Sequence, residues 1–339
     1  MGGSTFAVSL PKHWVETVGL AVGGELVLHP RADGSLLLIP RRDAPVPTRI
    51  QNVDVSSNDH EEILRSIIAL YVAGNDVIIL HAGANSSPDA IRVAAQEACR
   101  RLLGLQVVDE STGSLTLQDL ADPQDLEVRK AVRMMQLHAH RMLNASRRLI
   151  ERPDDATAQI ELDGSETELD RLHLLLVKQH NRFLTDLNFG ERAGIPPGEA
   201  LGYLLVALYL ERIGDYAQRV AQAAPDLVRL RDTAGLNHIL AAADIARKCV
   251  EDAGSAFQKK DAALANATIR LAASLGHLAR TAPEDFARSL RRPGGPPTCE
   301  LCFGLNDTFE FLERIGLYAK SIAEVALNHA YATPPKDKP

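Results

Sequence analysis

Tyr209-Leu210-Glu211-Arg212-Ile213-Gly214-Asp215-Tyr216-Ala217 returns later in the chain as Phe311-Leu312-Glu313-Arg314-Ile315-Gly316-Leu317-Tyr318-Ala319, an offset of 102 residues. Both copies continue in the same register, as Gln218-Arg219-Val220-Ala221 and Lys320-Ser321-Ile322-Ala323. A fixed offset of this kind marks an internal duplication. The C-terminal two thirds of the chain is therefore expected to hold two copies of one unit.

Each copy reads as an amphipathic helix. Val206, Leu210, Ile213, Ala217, Val220 and Ala224 recur at three- and four-residue steps, which makes one apolar stripe. Leu312, Ile315, Ala319, Ile322 and Ala326 repeat it. The small residues Gly214, Ala217, Gly316 and Ala319 predict close approach of a neighbouring helix. Glu211 and Asp215 stand one turn apart, so their carboxylates share a face and form a hard, oxygen-donating half-site for a cation. In the second copy Leu317 replaces the aspartate and Glu313 stands alone. The same pair is also compatible with a solvated helix face, with Arg212 or Arg219 as its partner.

Working outward, the chain reads as helical from Asp125 almost to its end. Helices are expected over about 125–151, 156–189 with an interruption near Gly164, and a third ending near Pro225; then 227–257, 260–280 and 300–332, with a loop from Pro283 to Pro297. Three helices per unit with modest connections predict antiparallel bundles. Helices two and three would pack side by side, which makes Glu168 and Asp170 the expected additional ligands to Glu211 and Asp215.

The Leu-Glu-Arg-Ile-Gly-Asp run, closing a three-helix unit that occurs twice, resembles the PhoU family of phosphate-uptake regulators. The resemblance implies two related three-helix bundles and metal binding, of a divalent or ferric ion, through acidic Glu-x-x-x-Asp motifs. The first copy keeps that motif as Glu211 and Asp215, and the second departs from it at Leu317.

Residues 1–44 read as a small β unit. Thr5–Leu10 alternates as a strand, Pro11-Lys12 opens a short helix ended by Gly19, and Glu25–His29 and Ser35–Ile39 flank an Asp33-Gly34 turn. So short a segment cannot bury a core alone, and it predicts dimerisation or packing on the next domain. Its Gly-Gly-Ser-Thr-Phe-Ala-Val-Ser-Leu-Pro-Lys-His-Trp run, with the hairpin spacing, resembles the AbrB/SpoVT swapped-hairpin family, whose chains interleave as dimers and usually bind DNA. The resemblance implies that the basic residues Lys12, Arg31, Arg41 and Arg42 contact DNA. Against Glu16, Glu25 and Asp33 they leave residues 1–42 an excess of one positive charge, a small footprint for backbone neutralisation.

Residues 45–122 begin at the Pro45/Pro47 linker and alternate strand and helix periods, as a small α/β domain. Strands are expected over Thr48–Val55, Asp76–His81, Leu105–Asp109 and Ser114–Gln118, with helices over Asp59–Ala73 and Ser87–Leu103. The His81–Pro88 loop leads from a strand to a helix N-terminus, where phosphate is favoured. It lacks P-loop and dinucleotide spacing, and proline after a serine cap explains it without a ligand.

The formal net charge of −7 argues against a surface that coats nucleic acid or acidic lipid throughout. The longest apolar run, Tyr203–Leu210, falls far short of the roughly 20 residues a membrane helix needs, so the chain is expected not to be an integral membrane protein and to be cytoplasmic. Cys99, Cys249, Cys299 and Cys302 include one Cys-x-x-Cys, with no second ligand pair and no thioredoxin-like pattern beside it; reduced thiols are expected. No hydrolase elbow, His-Glu-x-x-His or P-loop occurs, so no enzymatic activity is expected.

The expected architecture is mainly α: residues 1–44 a swapped hairpin, 45–122 a small α/β domain, 123–226 and 227–333 tandem three-helix bundles, and 334–339 a disordered tail. The order resembles fused PhoU-type regulators found in archaea. It implies control of phosphate uptake by a DNA-binding homodimer, with a phosphate transporter or sensor as possible partner. The overall acidity supports a second reading, a metal-binding adaptor that engages such a partner without binding DNA.

Overall fold

The computed structural model describes residues 7–30, 34–40, 48–121, 127–185, 189, 195–227, 234–289 and 299–332. The chain divides into two compact units, Met1–Thr48 and Arg49–Pro339.

In the first unit, helix α1 (Lys12–Val18) follows Pro11 and ends at Gly19, whose φ of 66° is the left-handed conformation that lets its N–H return to the Glu16 carbonyl. Strands β1 (Leu26–Pro30) and β2 (Leu36–Pro40) pair antiparallel, with Leu28 opposite Leu38. Among the described residues, 7–10 join no sheet, whereas a strand is expected over Thr5–Leu10, of which residues 5 and 6 lie outside the described residues. Among the described residues of this unit none is buried, and Val8, Leu28 and Leu36 stay largely exposed.

The second unit opens with a four-stranded mixed sheet in the order β3-β4-β6-β5. Strands β3 (Ile50–Val55) and β4 (Val77–Ala82) are parallel and joined through helix α2 (His60–Val72). Asp59 caps α2 by accepting from the Glu61 and Glu62 N–H groups. Helix α3 (Pro88–Arg101) leads to β5 (Leu105–Ser111), which returns antiparallel through β6 (Ser114–Asp119). Ile78, Leu80, Leu115 and Leu117 alternate onto the helix-covered face and meet Ile63, Ile67, Tyr71, Ala94 and Ala98. The loop before α3 is satisfied internally: Ser87 caps Ala90 N–H at 3.1 Å, and Ser86 Oγ donates to the Val55 carbonyl at 2.7 Å.

Helices α4 (Val128–Glu151), α5 (Ala156–Thr185) and α6 (Pro197–Ala223) form the first helical repeat. Helices α7 (Ala234–Lys259), α8 (Ala262–Ser289) and α9 (Cys299–Ala332) form the second, and one continuous apolar core runs through both. Two expected breaks do not occur. Helix α5 passes Gly164 unbroken, because nothing crowds the position and Leu162 and Ser165 are buried on either side. Helix α8 continues through Pro283 to Ser289 rather than stopping near 280; burial of Ala279 and Ala282 holds it across the hydrogen bond that proline forfeits. The rest of the expected Pro283–Pro297 loop, from residue 290, lies outside the described residues, as does the 334–339 tail.

The duplicated helices α6 and α9 meet through their aromatic residues. Tyr209 stacks on Tyr318 with ring centroids 6.1 Å apart, Tyr216 meets Phe311 at 6.0 Å, and Tyr216 meets Tyr318 at 5.9 Å. Under the 102-residue offset Tyr209 corresponds to Phe311 and Tyr216 to Tyr318. The first two contacts are therefore one contact seen from either repeat, and the two copies face each other about a local pseudo-twofold.

Candidate functional site

Glycine sets the distance between the helices that carry the acids. A Cβ at Gly214 would run into Leu169 Cδ2 of α5, and one at Gly316 would lie 2.8 Å from Leu275 Cδ2 of α8. Only hydrogen fits the notch, so α6 lies close on α5 and α9 on α8.

That approach brings four carboxylates onto one wall. Glu166 and Asp170 come from α5, Glu211 and Asp215 from α6, each pair one turn apart. Glu166 Oε2 accepts from Gln218 Nε2 at 2.6 Å, and Arg212 Nη1 donates to Asp215 Oδ2 at 3.0 Å. Glu211 Oε2 is 3.4 Å from Arg212 Nε, too poorly aimed for a hydrogen bond, and is buried without one. Burial, then Asp215, pushes the Glu211 carboxyl up to about 7. Burial also raises Asp170, with Asp215 adding and Arg101 opposing, and it raises Glu166, where Asp170 adds.

Glu168 takes no place on this wall. It lies two residues from both Glu166 and Asp170, hence on another side of α5, and accepts from Arg171 Nη1 at 2.6 Å. Glu166 takes the position expected of it. The signal was present in the sequence: Glu166 and Asp170 have the same one-turn spacing as Glu211 and Asp215.

The facing wall comes from the α/β domain. Glu97, Arg100 and Arg101 of α3 join Arg171 and His173 around an open hollow of about 640 Å³. Glu97 holds both α3 guanidiniums, pairing with Arg100 and accepting from Arg101 Nε at 2.7 Å. Nothing local in the sequence of α3 announces this role, because it arises from tertiary docking.

Polar contacts along α5, buried at Lys178 and partly exposed at Asn181 and Arg182, fix that docking. Lys178 pairs with Asp119, both side chains at most 4% exposed, and its ammonium sits 4.1 Å from the centre of the Tyr71 ring. Arg182 pairs with Asp76, and Asn181 Nδ2 donates to the Val72 carbonyl at 2.8 Å. Tyr71 in turn donates its hydroxyl to the Leu103 carbonyl at 2.8 Å.

The second repeat lacks the wall. Aligned on Leu169 and Leu275, Glu166 becomes Ala272 and Asp170 becomes Gly276, while Leu317 stands for Asp215. Glu313 remains, and Arg280 Nη1 donates to it at 3.0 Å.

Among the described residues no three His, Cys, Asp or Glu side chains converge closely enough to enclose a bare metal ion. Cys99 and Cys249 are free thiols, and the side chains of Cys299 and Cys302 lie outside the described residues. In the N-terminal unit, exposed Lys12 is 3.8 Å from exposed Glu16, whereas Arg31, Arg41 and Arg42 lie outside the described residues. No helix among the described residues is long and apolar enough to cross a membrane.

Comparison with known proteins finds two family matches and a solved structure of similar fold. A family model described as the PhoU domain matches residues 132–224 and 239–326. A second, described as antidote-toxin recognition MazE, bacterial antitoxin, matches residues 1–46. Among solved structures, the crystal structure of PhoU from Pseudomonas aeruginosa is similar in fold, with a TM-score of 0.53 at 21% identity over 61% of this chain and 96% of that chain. No curated protein matches the chain.

Proposed function

The chain belongs to the PhoU domain family, and from that premise we propose that it regulates phosphate uptake, with its N-terminal unit contacting operator DNA as a dimer and its helical repeats receiving the signal. The observation that carries the DNA-binding half is the antitoxin-type N-terminal match over residues 1–46, joined to the duplicated helical repeats. The lack of any buried residue among those described in that unit supports a second copy as its missing core. The reading is regulatory and assigns no catalysis; it places the protein in the cytoplasm beside a transporter or sensor.

A gel-shift titration with the protein's own upstream DNA, across salt concentrations, tests it. The expected result is a specific complex that weakens steeply with salt and is weakened further by Lys12→Glu. Binding no better than to random DNA at low salt would leave the adaptor reading, which the net charge of −7 favours.

The hollow in the first repeat is the place for the ion that the family resemblance implies. Its donors are carboxylate oxygens, which suit a hard cation, and the buried, unbonded Glu211 Oε2 fits such a partner. Among the described residues no three donors converge on a bare ion, so an ion here would be held through its water shell by Asp170, Glu211 and Asp215 with Glu166. The ion would neutralise buried carboxylates. Elemental analysis of protein purified without chelator should find a divalent or ferric ion that Glu211→Ala with Asp215→Ala removes. Unchanged metal in that variant would reduce the pair to face charges.

A further inference from the structure

We propose that the α/β domain joins two copies of the chain edge to edge, with β3 of one copy pairing antiparallel to β3 of the other about a twofold centred on Asn52. Two four-stranded sheets then become one continuous sheet. The inference rests on the dimer reading above and goes beyond it, because it gives a role to a domain that lies outside both matched segments.

Strands β3 and β5 are the two edges of the sheet, and only β5 is guarded. A bulge between Val107 and Asp109 breaks its register, Asp109 and Glu110 charge it, and Arg92 Nε donates to Glu110 at 2.7 Å. Strand β3 runs in unbroken register against β4 from Ile50 to Val55, with Asp54 as its one charge. Ile50, Gln51, Asn52 and Asp54 are exposed. The Arg49 and Val55 carbonyls face β4, where they accept from the Val77 and Gly83 N–H groups at 3.1 and 2.9 Å. Backbone groups alternate sides along a strand, so the N–H and C=O groups of Ile50, Asn52 and Asp54 face the open edge. Among the described residues, the one bond these groups make within the chain runs from Gln51 Nε2 to the Asn52 carbonyl, at 3.2 Å. The edge is self-complementary. A twofold at Asn52 sets that residue against its own counterpart and Ile50 against the partner's Asp54, so each opposed pair exchanges N–H···O=C bonds and no like charges meet. The side chains of Ile50, Asn52 and Asp54 lie on the sheet face opposite the helix-covered core.

So short an edge does not hold two chains by itself. Residues 41–49 tie it to the N-terminal unit, a reach of at most about 30 Å. Two chains joined through those units therefore hold their β3 edges at high effective concentration. Helix α5 holds the same domain through the Lys178–Asp119 pair, so a shared sheet also couples the helical repeats of the two chains. Disulfide capture in the full-length chain provides the test. Opposed residues that exchange both hydrogen bonds have Cα atoms about 5.5 Å apart, within disulfide range. Under mild oxidation Asn52→Cys should run mainly as a covalent dimer on a non-reducing gel, while Gln106→Cys, on the other edge, should give no more than wild type. That dimer should be lost when Leu28→Asp and Leu36→Asp are added. Amide exchange reads the same contact without a substitution at the edge. The Ile50, Asn52 and Asp54 amides should be protected in the wild-type dimer and exchange freely in the Leu28→Asp, Leu36→Asp chain. No covalent dimer and no protection, in a chain that sediments as a dimer, overturn the inference and leave the N-terminal dimer intact. Wild type that sediments as a monomer at every concentration overturns the dimer reading and the inference with it.

Discussion

Glu211 carries a charge in a place that resists it. Its side chain is 16% exposed, one carboxylate oxygen has no hydrogen bond, and its pKa rises from 4.5 to about 7. Below pH 4.5 the group is protonated in both the folded and the unfolded chain and burial costs little. Between pH 4.5 and 7 the unfolded chain ionises first, so stability falls as pH rises; above 7 the loss is complete. Glu211→Gln carries no such penalty. In the presence of chelator its melting temperature should match wild type near pH 4.5 and exceed it above pH 7. A constant difference across that window would remove the burial argument. Gly214 makes the opposite case, a residue fixed by lack of space: Gly214→Ala forces Leu169 or Met142 to move and should cost about 1–3 kcal/mol in denaturant unfolding. Gly214 was readable in the sequence as a site of close approach. The acid partners were readable only in part: Asp170 is on the wall as expected, whereas Glu168, two residues away, falls on another side of α5, and the helical phase puts Glu166 on the Asp170 face.

At the scale of elements, α5 works as a two-sided beam. One face holds the acids and packs on α6; its C-terminal half docks the α/β domain through Lys178, Asn181 and Arg182. Burial pulls the Lys178 ammonium down from its ordinary pKa, while Asp119 works against that shift. Removing one member of such a pair strands the other charge, so Lys178→Ala should destabilise the chain by about 3–5 kcal/mol in chemical denaturation. Lys178→Met together with Asp119→Leu should lose less than either single change. A double variant as unstable as the worse single one would show that packing around the pair, not the charge, holds the domain. The sequence made the strands and helices of this domain legible through their periods, from Asp59 capping α2 to Ser87 capping α3. It gave no hint that α3 would stand across from α6, since docking depends on residues 59 positions apart, Asp119 and Lys178. Pro283 misled for a related reason: local chemistry argued for a stop, and buried Ala279 and Ala282 overrode it.

For the whole molecule, the 102-residue offset was enough to foresee the repeats, because a duplicated sequence stripe must bury itself the same way twice. The pseudo-twofold between α6 and α9 follows from the same duplication, because exchanging the two copies turns the Tyr209–Tyr318 contact into the Phe311–Tyr216 contact. The N-terminal unit follows a different logic. A short helix and a two-stranded hairpin leave Leu28 and Leu36 about half exposed, at 53% and 48%, and an isolated hairpin is marginal in water. A second chain can cover those aliphatics and pair the strand edges that one chain leaves open. The full-length protein should therefore sediment as a dimer. Leu28→Asp with Leu36→Asp should shift it to the monomer, because two desolvated carboxylates at the shared face oppose association. The helical repeats bury their own core within one chain, so their circular dichroism and thermal transition should persist in that monomer. The DNA complex should disappear together with the dimer. A variant that stays dimeric would place self-association on another surface, and one that binds DNA as a monomer would separate recognition from dimerisation.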